Sequence, residues 1–275
     1  MSQDKFIQSE QSVAKCLAYK KKEGYLEIQD LIAEEAPVSM VFNGISHAVM
    51  MATPQDLNDF ALGFSIAENI INSLEDMYAL EIHTTDNGIE LAISISTETF
   101  NRLKENRRSL IGRTGCGLCG TESLNQFKKI QELLTPNTSR AIFSSDNIIK
   151  ALSSFPENQM LQKQTGSTHA SALCSNNGDI LLTREDVGRH NALDKIIGAS
   201  SKMEYADFGE LFLITSSRAS YEMVQKAAKL NICLLVAISA PTALAVRLAD
   251  SLGITLIGFA RNKNYNIYTH KERIR

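Results

Sequence analysis

Residues 209–260 read GELFLITSSRASYEMVQKAAKLNICLLVAISAPTALAVRLADSLGITLIGFA, and the order of apolar runs within them decides the fold. Three short, continuous apolar runs, GELFLITS, ICLLVAIS and ITLIGFA, alternate with two longer amphipathic ones, SRASYEMVQKAAKLN and APTALAVRLADSLG. A short unbroken apolar run suits a strand covered on both faces, and its alternation with helices gives a β-α-β-α-β order. Right-handed crossovers then make the three strands parallel. The same regime opens near residue 165, with a strand over 170–174, a turn at Asn176-Asn177-Gly178, a strand over 179–183 and a helix over 191–197.

The first half follows another grammar. Asn43-Gly44 separates 38–42 from 45–51, and Asn87-Gly88 separates 79–84 from 89–95. Both read as hairpins, because Asn and Gly tolerate the positive φ of a type I′ turn. Between them Thr53 as cap and Pro54 at the first position open a helix whose apolar stripe is Leu57, Phe60, Ala61, Phe64 and Ala67. Residues 1–30 read as an irregular or edge-strand lead-in. A further helix, with Thr121 as cap and Leu124, Phe127, Ile130 and Leu134 on one face, follows the cysteine-bearing loop; 135–146 read as a connection. The expected class is α/β, α+β overall, with a smaller lobe of hairpins over 1–134 and a larger lobe over 135–275 whose central sheet is flanked by helices.

The bulk properties exclude more than they assign. Of 275 residues, 44% are hydrophobic and 21% charged, which is ordinary for a globular protein, and the net charge of -3 provides no basic field for nucleic acid. The N-terminus lacks a signal-peptide core, and the run 232–246 is interrupted by Ser239 and Pro241, so a cytoplasmic protein without membrane segments is expected. Five cysteines, an odd number, do not make a secreted disulfide framework. Cys16, Cys174 and Cys233 are expected as buried structural thiols.

Cys116 and Cys119 are different, standing in GRTGCGLCGTE just ahead of a helix start. A C-x-x-C pair can be half of a zinc site, a redox dithiol, or a carrier of sulfur. Zinc needs two more ligands, and the sequence offers only His169 and Cys174; no zinc is expected. A nucleotide deaminase would use H-x-E ahead of P-C-x-x-C, whereas here His169 follows the cysteines and Ser171 replaces the Glu. Thiol chemistry remains, with Arg113 and the following helix terminus favouring the thiolate.

Ligands of an open α/β sheet lie beyond the carboxyl ends of its strands. Those ends carry Ser216 with Arg218, then Ser239, then Phe259, Ala260, Arg261, Asn262, Lys263 and Asn264. Hydroxyls, helix starts and cations together fit a phosphate-bearing ligand, although Ser, Pro and Thr also serve as plain caps. Neither a P-loop nor G-x-G-x-x-G is present. The stretch REDVGRHNALDK, 184–195, gathers charge around one glycine: Arg189 could hold phosphate and His190 could anchor a ligand or move a proton, or the cluster could be salt bridges that fix a loop.

These stretches together resemble the formate dehydrogenase accessory sulfurtransferases, the FdhD family. EEAPVSMVFNG, RTGCGLCGTE, TGSTHAS, EDVGRHNALDKIIG, SRASYEMVQKAA and ISAPTALAVRLADSLGITLIGFARNKNYNIYTH occur in order over residues 34–270. The resemblance implies a larger lobe like the cytidine deaminase fold without its zinc, and a homodimer. It implies sulfur transfer from a cysteine desulfurase to the molybdenum cofactor, as bis-molybdopterin guanine dinucleotide, before insertion into formate dehydrogenase. Cys116 then matches the persulfide-bearing cysteine, Cys119 its partner, and 259–264 the cofactor-binding stretch. Rival readings are a thiol-disulfide oxidoreductase and a zinc-held binding module.

Overall fold

In the computed structural model, which describes residues 12–22, 24–108, 134–203, 208–261 and 263–275, the chain forms two lobes joined through a pair of crossing helices. The Cys116–Cys119 loop, the helix expected from Thr121 and residue Asn262 lie outside the described residues.

The larger lobe is built as the alternation dictates. Strands β9 (Phe212–Thr215), β10 (Leu234–Ala237) and β11 (Thr255–Arg261) are parallel neighbours, with α6 (Tyr221–Lys229) and α7 (Ala243–Ser251) as crossovers. β12 (Asn264–Ile267) runs antiparallel on the β11 side. On the other side β7 (His169–Cys174) pairs antiparallel with β9, and β8 (Ile180–Asp186) antiparallel with β7, giving the order β12-β11-β10-β9-β7-β8. The apolar runs divide by the two-residue period of a strand. Leu213, Leu235 and Leu256 pack with α5 (Arg189–Ser200), α6 and α7, while Phe212, Ile214, Leu234 and Val236 pack on the other face. That second face is closed by α3 (Ser145–Ser154), a helix that the sequence reading passed over. Ala141 to Phe143 contribute only an isolated bridge, Phe143 to Ile274.

In the smaller lobe, β3 (Ala36–Phe42), β4 (Ile45–Ala52), β5 (Met77–Thr85) and β6 (Gly88–Ile95) form one sheet in the order β4-β3-β6-β5. Both hairpins are present. Asn43 (φ 45°) and Gly44 (φ 81°) make the first turn as expected. The second turn falls on Asp86-Asn87 instead, because Gly88 already pairs with Thr85 and its bare Cα lets the Pro37 carbonyl approach; a Cβ there would stand 2.3 Å from that oxygen. α2 (Thr97–Arg108) follows β6.

Two expectations are corrected. Residues 13–33 form a regular two-stranded arm, β1 (Val13–Lys21) against β2 (Tyr25–Ala33), hydrogen-bonded to neither larger sheet. Several of its apolar side chains, Tyr19, Tyr25 and Leu26 among them, are exposed, as is Cys16, which is therefore not a buried thiol as Cys174 and Cys233 are. The other correction concerns α1 (Leu57–Ala67), which starts after Asp56 rather than Thr53. Thr53 is fully buried and spends its polar groups elsewhere: its N–H donates to Asp186 Oδ2 at 3.0 Å and its hydroxyl accepts from the Val187 N–H at 3.1 Å. A tertiary network outcompetes the local cap. No helix among the described residues is long and apolar enough to cross a membrane.

Candidate functional site

Parallel pairing carries the carboxyl ends of β9, β10 and β11 to one edge, and antiparallel pairing brings the start of β7 and the end of β8 beside them. Ser216, Ser239 and the 259–261 segment are thereby brought together. The Ser239 N–H reaches the Ser217 carbonyl (3.4 Å), and the Phe259 N–H donates to the Ser239 carbonyl (3.1 Å). Arg261 folds back so that Nε donates to the Ile238 carbonyl (3.0 Å), which fixes its stem while the side chain stays exposed. Arg218 and Lys263 are exposed on the same rim, Ala260 is buried, and Asn264 pairs with Arg261 across the β11–β12 turn.

The helices that follow β9 and β10 start later than the serines. α6 is entered from Ser220 and α7 from Thr242, whose Oγ1 accepts from the Ala245 N–H at 3.2 Å. Ser216 and Ser239 are thus strand-end residues and not caps. Ser216 Oγ instead accepts from the Ala170 N–H (3.0 Å) and lies 3.3 Å from His169 Nδ1.

The charged stretch 184–195 divides into an inner and an outer set. Glu185 accepts from the N–H groups of Leu161 (2.8 Å) and Gln162 (2.7 Å), holding the start of α4 (Met160–Thr165). Asp186 and Lys195 form a fully buried ion pair at 2.7 Å. Asp194 accepts from Lys226 Nζ at 2.6 and 2.7 Å, while burial pushes its carboxyl up to about 6. The Asp186–Lys195 and Asp194–Lys226 pairs are the loop-fixing salt bridges. Arg189 and His190, at the first turn of α5, are the outer set. His190 Nε2 lies 2.7 Å from Glu222 Oε2, and that contact holds the Glu222 carboxyl below the usual range. Burial, then the nearby Arg189 charge and more weakly His190, lower the His169 pKa against an opposing pull from Asp186.

His169 cannot share a metal ion with Cys174. They occupy opposite ends of β7, five residues apart, which at ~3.3 Å per residue is about 17 Å. Cys174 is also buried, and burial raises its thiol well above the ordinary value. That ligand set for the C-x-x-C is therefore withdrawn.

Sequence reasoning missed a cleft of about 400 Å³ beside Ser216 and His169, lined also by Gln159 and Gln162. Its signal is absent from the chain order, because α4 and the strand ends meet only in the folded lobe.

Comparison with known proteins agrees with this architecture. A protein called sulfur carrier protein FdhD from Cupriavidus necator is 51% identical over 245 residues, spanning 89% of this chain and 84% of that one. Another so named, from Xanthomonas oryzae pv. oryzae, is 47% identical over 247 residues, covering 90% and 86%. The crystal structure of a Desulfotalea psychrophila protein described as a formate dehydrogenase accessory protein superposes with a TM-score of 0.76 at 22% identity, over 96% of this chain and 100% of that one, and so shares the fold. With residues 33–275 matched by the FdhD/NarQ family model, the chain belongs to the FdhD/NarQ family.

Proposed function

We propose that this protein is a cytoplasmic, homodimeric sulfur carrier that matures formate dehydrogenase. It accepts sulfane sulfur from a cysteine desulfurase on Cys116 and presents it to the molybdenum cofactor, bis-molybdopterin guanine dinucleotide, held as a substrate with its nucleotide end along the strand edge. The observation that carries this reading is the near-full-length likeness, at about half identity, to relatives named as sulfur carriers. The strand edge adds chemical support, since serine hydroxyls and Arg218, Arg261 and Lys263 on one rim suit phosphate oxygens.

In the loading step the Cys116 thiolate attacks the terminal sulfur of the desulfurase persulfide. The donor S–S bond breaks as the new one forms, the donor cysteine leaves as thiolate, and there is no net oxidation. Release of that sulfur as sulfide takes two electrons, which Cys119 can supply by closing a disulfide with Cys116.

Mass spectrometry after incubation with a cysteine desulfurase and cysteine tests the proposal. The expected result is one reducible sulfur per chain, lost in Cys116→Ser together with formate dehydrogenase maturation. Full loading and maturation in Cys116→Ser would overturn the carrier role. Stoichiometric zinc released only on unfolding would favour a binding module instead.

A further inference from the structure

The β1–β2 arm is the least supported element of the fold. Among the described residues its two strands, of nine residues each, pair only with one another, so both long edges of the ribbon are open. A two-stranded ribbon is marginal in water, and a third strand or a covered apolar face is what stabilises it.

The ladder register divides the arm into two faces, because residues opposite one another project the same way. Ala18 and Ile28, an opposed pair, are half-buried while their neighbours along each strand are exposed, which marks the inner face, turned to α4, against which β2 lies. The outer face has Leu17–Gln29 as its middle row, with Lys15–Leu31 on the root side and Tyr19–Glu27 on the tip side. Its apolar stripe grows more exposed toward the tip, from Leu31 (38%) through Leu17 (56%) and Tyr19 (63%) to Tyr25 (78%). A contiguous stripe of this kind marks an interaction surface.

The charges say what fits it. A two-fold axis through the middle row turns one arm end for end onto another. Leu17 then meets Leu17, and the Lys15–Leu31 row meets the Tyr19–Glu27 row of the second copy. Each of those rows brings one apolar side chain and one charge, and the charges are opposite in sign. The ends match as well. The tip carries Lys20, Lys21 and Lys22 against the single Glu23, and the root carries Glu34 and Glu35. Within one arm these groups stand about 30 Å apart, nine residues at ~3.3 Å each, too far to pair. Two arms laid antiparallel bring tip to root twice over, the self-complementary arrangement of an isologous contact. A partner of one sign would satisfy only one end.

We propose that the outer face of the arm docks on the same face of a second copy, antiparallel about a two-fold axis at Leu17. The proposal rests on the homodimer in the function given above and names the surface that makes it. Analytical ultracentrifugation of the full chain over a dilution series reads the dimer dissociation constant. The parent should be dimeric at micromolar concentration. Leu17→Arg sets like charges face to face at the axis and should weaken the dimer about a hundredfold. Lys15→Glu brings like charges together in both symmetric rows and should weaken it about fivefold, and adding Glu27→Lys should restore the parent constant, which a merely misfolded arm would not do. A melting curve shows that each variant is folded. A dimer of parental strength in Leu17→Arg, or no rescue by the paired exchange, overturns the arm surface and leaves a homodimer built elsewhere standing. A monomeric parent overturns the homodimer along with it.

Discussion

Phe259 is held at φ 52° with half of its surface exposed (51%), an uncommon state for an aromatic residue outside a tight turn. The cause is the irregularity of the β11–β12 ladder between Gly258 and Arg261, which rotates the strand so that the Phe259 N–H meets the Ser239 carbonyl and Arg261 turns back to Ile238. Backbone strain of this sort is kept where the surroundings over-determine it, and here they are the residues of the proposed phosphate edge. The left-handed region costs a residue with a Cβ about 1 kcal/mol relative to glycine. Phe259→Gly should therefore be more stable than Phe259→Ala by about 1 kcal/mol in urea unfolding, although glycine in ordinary extended strand is the worse of the two. The usual order, alanine above glycine, would show that the bend is not a property of the folded chain.

At the scale of elements, the joint between lobes is a helix crossing that depends on two missing side chains. A Cβ on Gly63 of α1 would stand 1.7 Å from the Asp194 carbonyl oxygen of α5, and one on Gly198 would stand 1.9 Å from the Asp59 carbonyl oxygen. Helix propensity alone predicts that Gly63→Ala stabilises by about 1 kcal/mol. Backbone contact at that distance reverses the sign, because neither helix can give way without unpacking the other. Gly63→Ala should lower stability by about 3 kcal/mol or more, read by urea denaturation, and a gain in stability would refute the crossing. The sequence carried half of this. Leu57, Phe60, Ala61 and Phe64 announce the buried face of α1 by spacing alone, and a mid-helix glycine is visible, but which helix it admits is a tertiary fact. The same division runs through the site. Ser216, Ser239 and 259–261 were legible because parallel β-α-β connections oblige strand ends to share an edge. Thr53, Gln159 and Gln162 were not, since their partners stand far off in sequence or on another element. The charge-dense 184–195 stretch was ambiguous for a physical reason: one short segment serves both readings, its carboxylates and Lys195 facing inward and Arg189 with His190 facing the edge.

For the whole molecule, what fixes one lobe on the other is a buried polar knot beside that crossing. Lys195 Nζ and Asp186 Oδ2 meet at 2.7 Å with both side chains wholly buried. Lys195 also donates to the Thr53 carbonyl (3.1 Å), and Asp186 accepts from Thr53, Gly188 and Asn191, the last of which donates to the Met51 carbonyl as well. The β4–α1 connection of one lobe is thereby tied to the β8–α5 connection of the other. Replacing both members of such a pair can be nearly neutral, but removing one strands a charge in a medium that cannot solvate it, at a cost of about 3–5 kcal/mol. Lys195→Met should therefore lower stability by that amount, and adding Asp186→Asn should restore part of it, because the neutral amide removes the stranded charge. The same knot sets the start of α5, where Arg189 and His190 stand, and Asp186 pairs in register with His169. In the Lys195→Met protein that remains folded, GDP affinity should fall along with stability, and Asp186→Asn should recover both together in calorimetry and urea unfolding. Recovery of stability without recovery of GDP binding would separate the knot from the site, and a Lys195→Met protein as stable as the parent would mean that the buried pair does not hold the lobes.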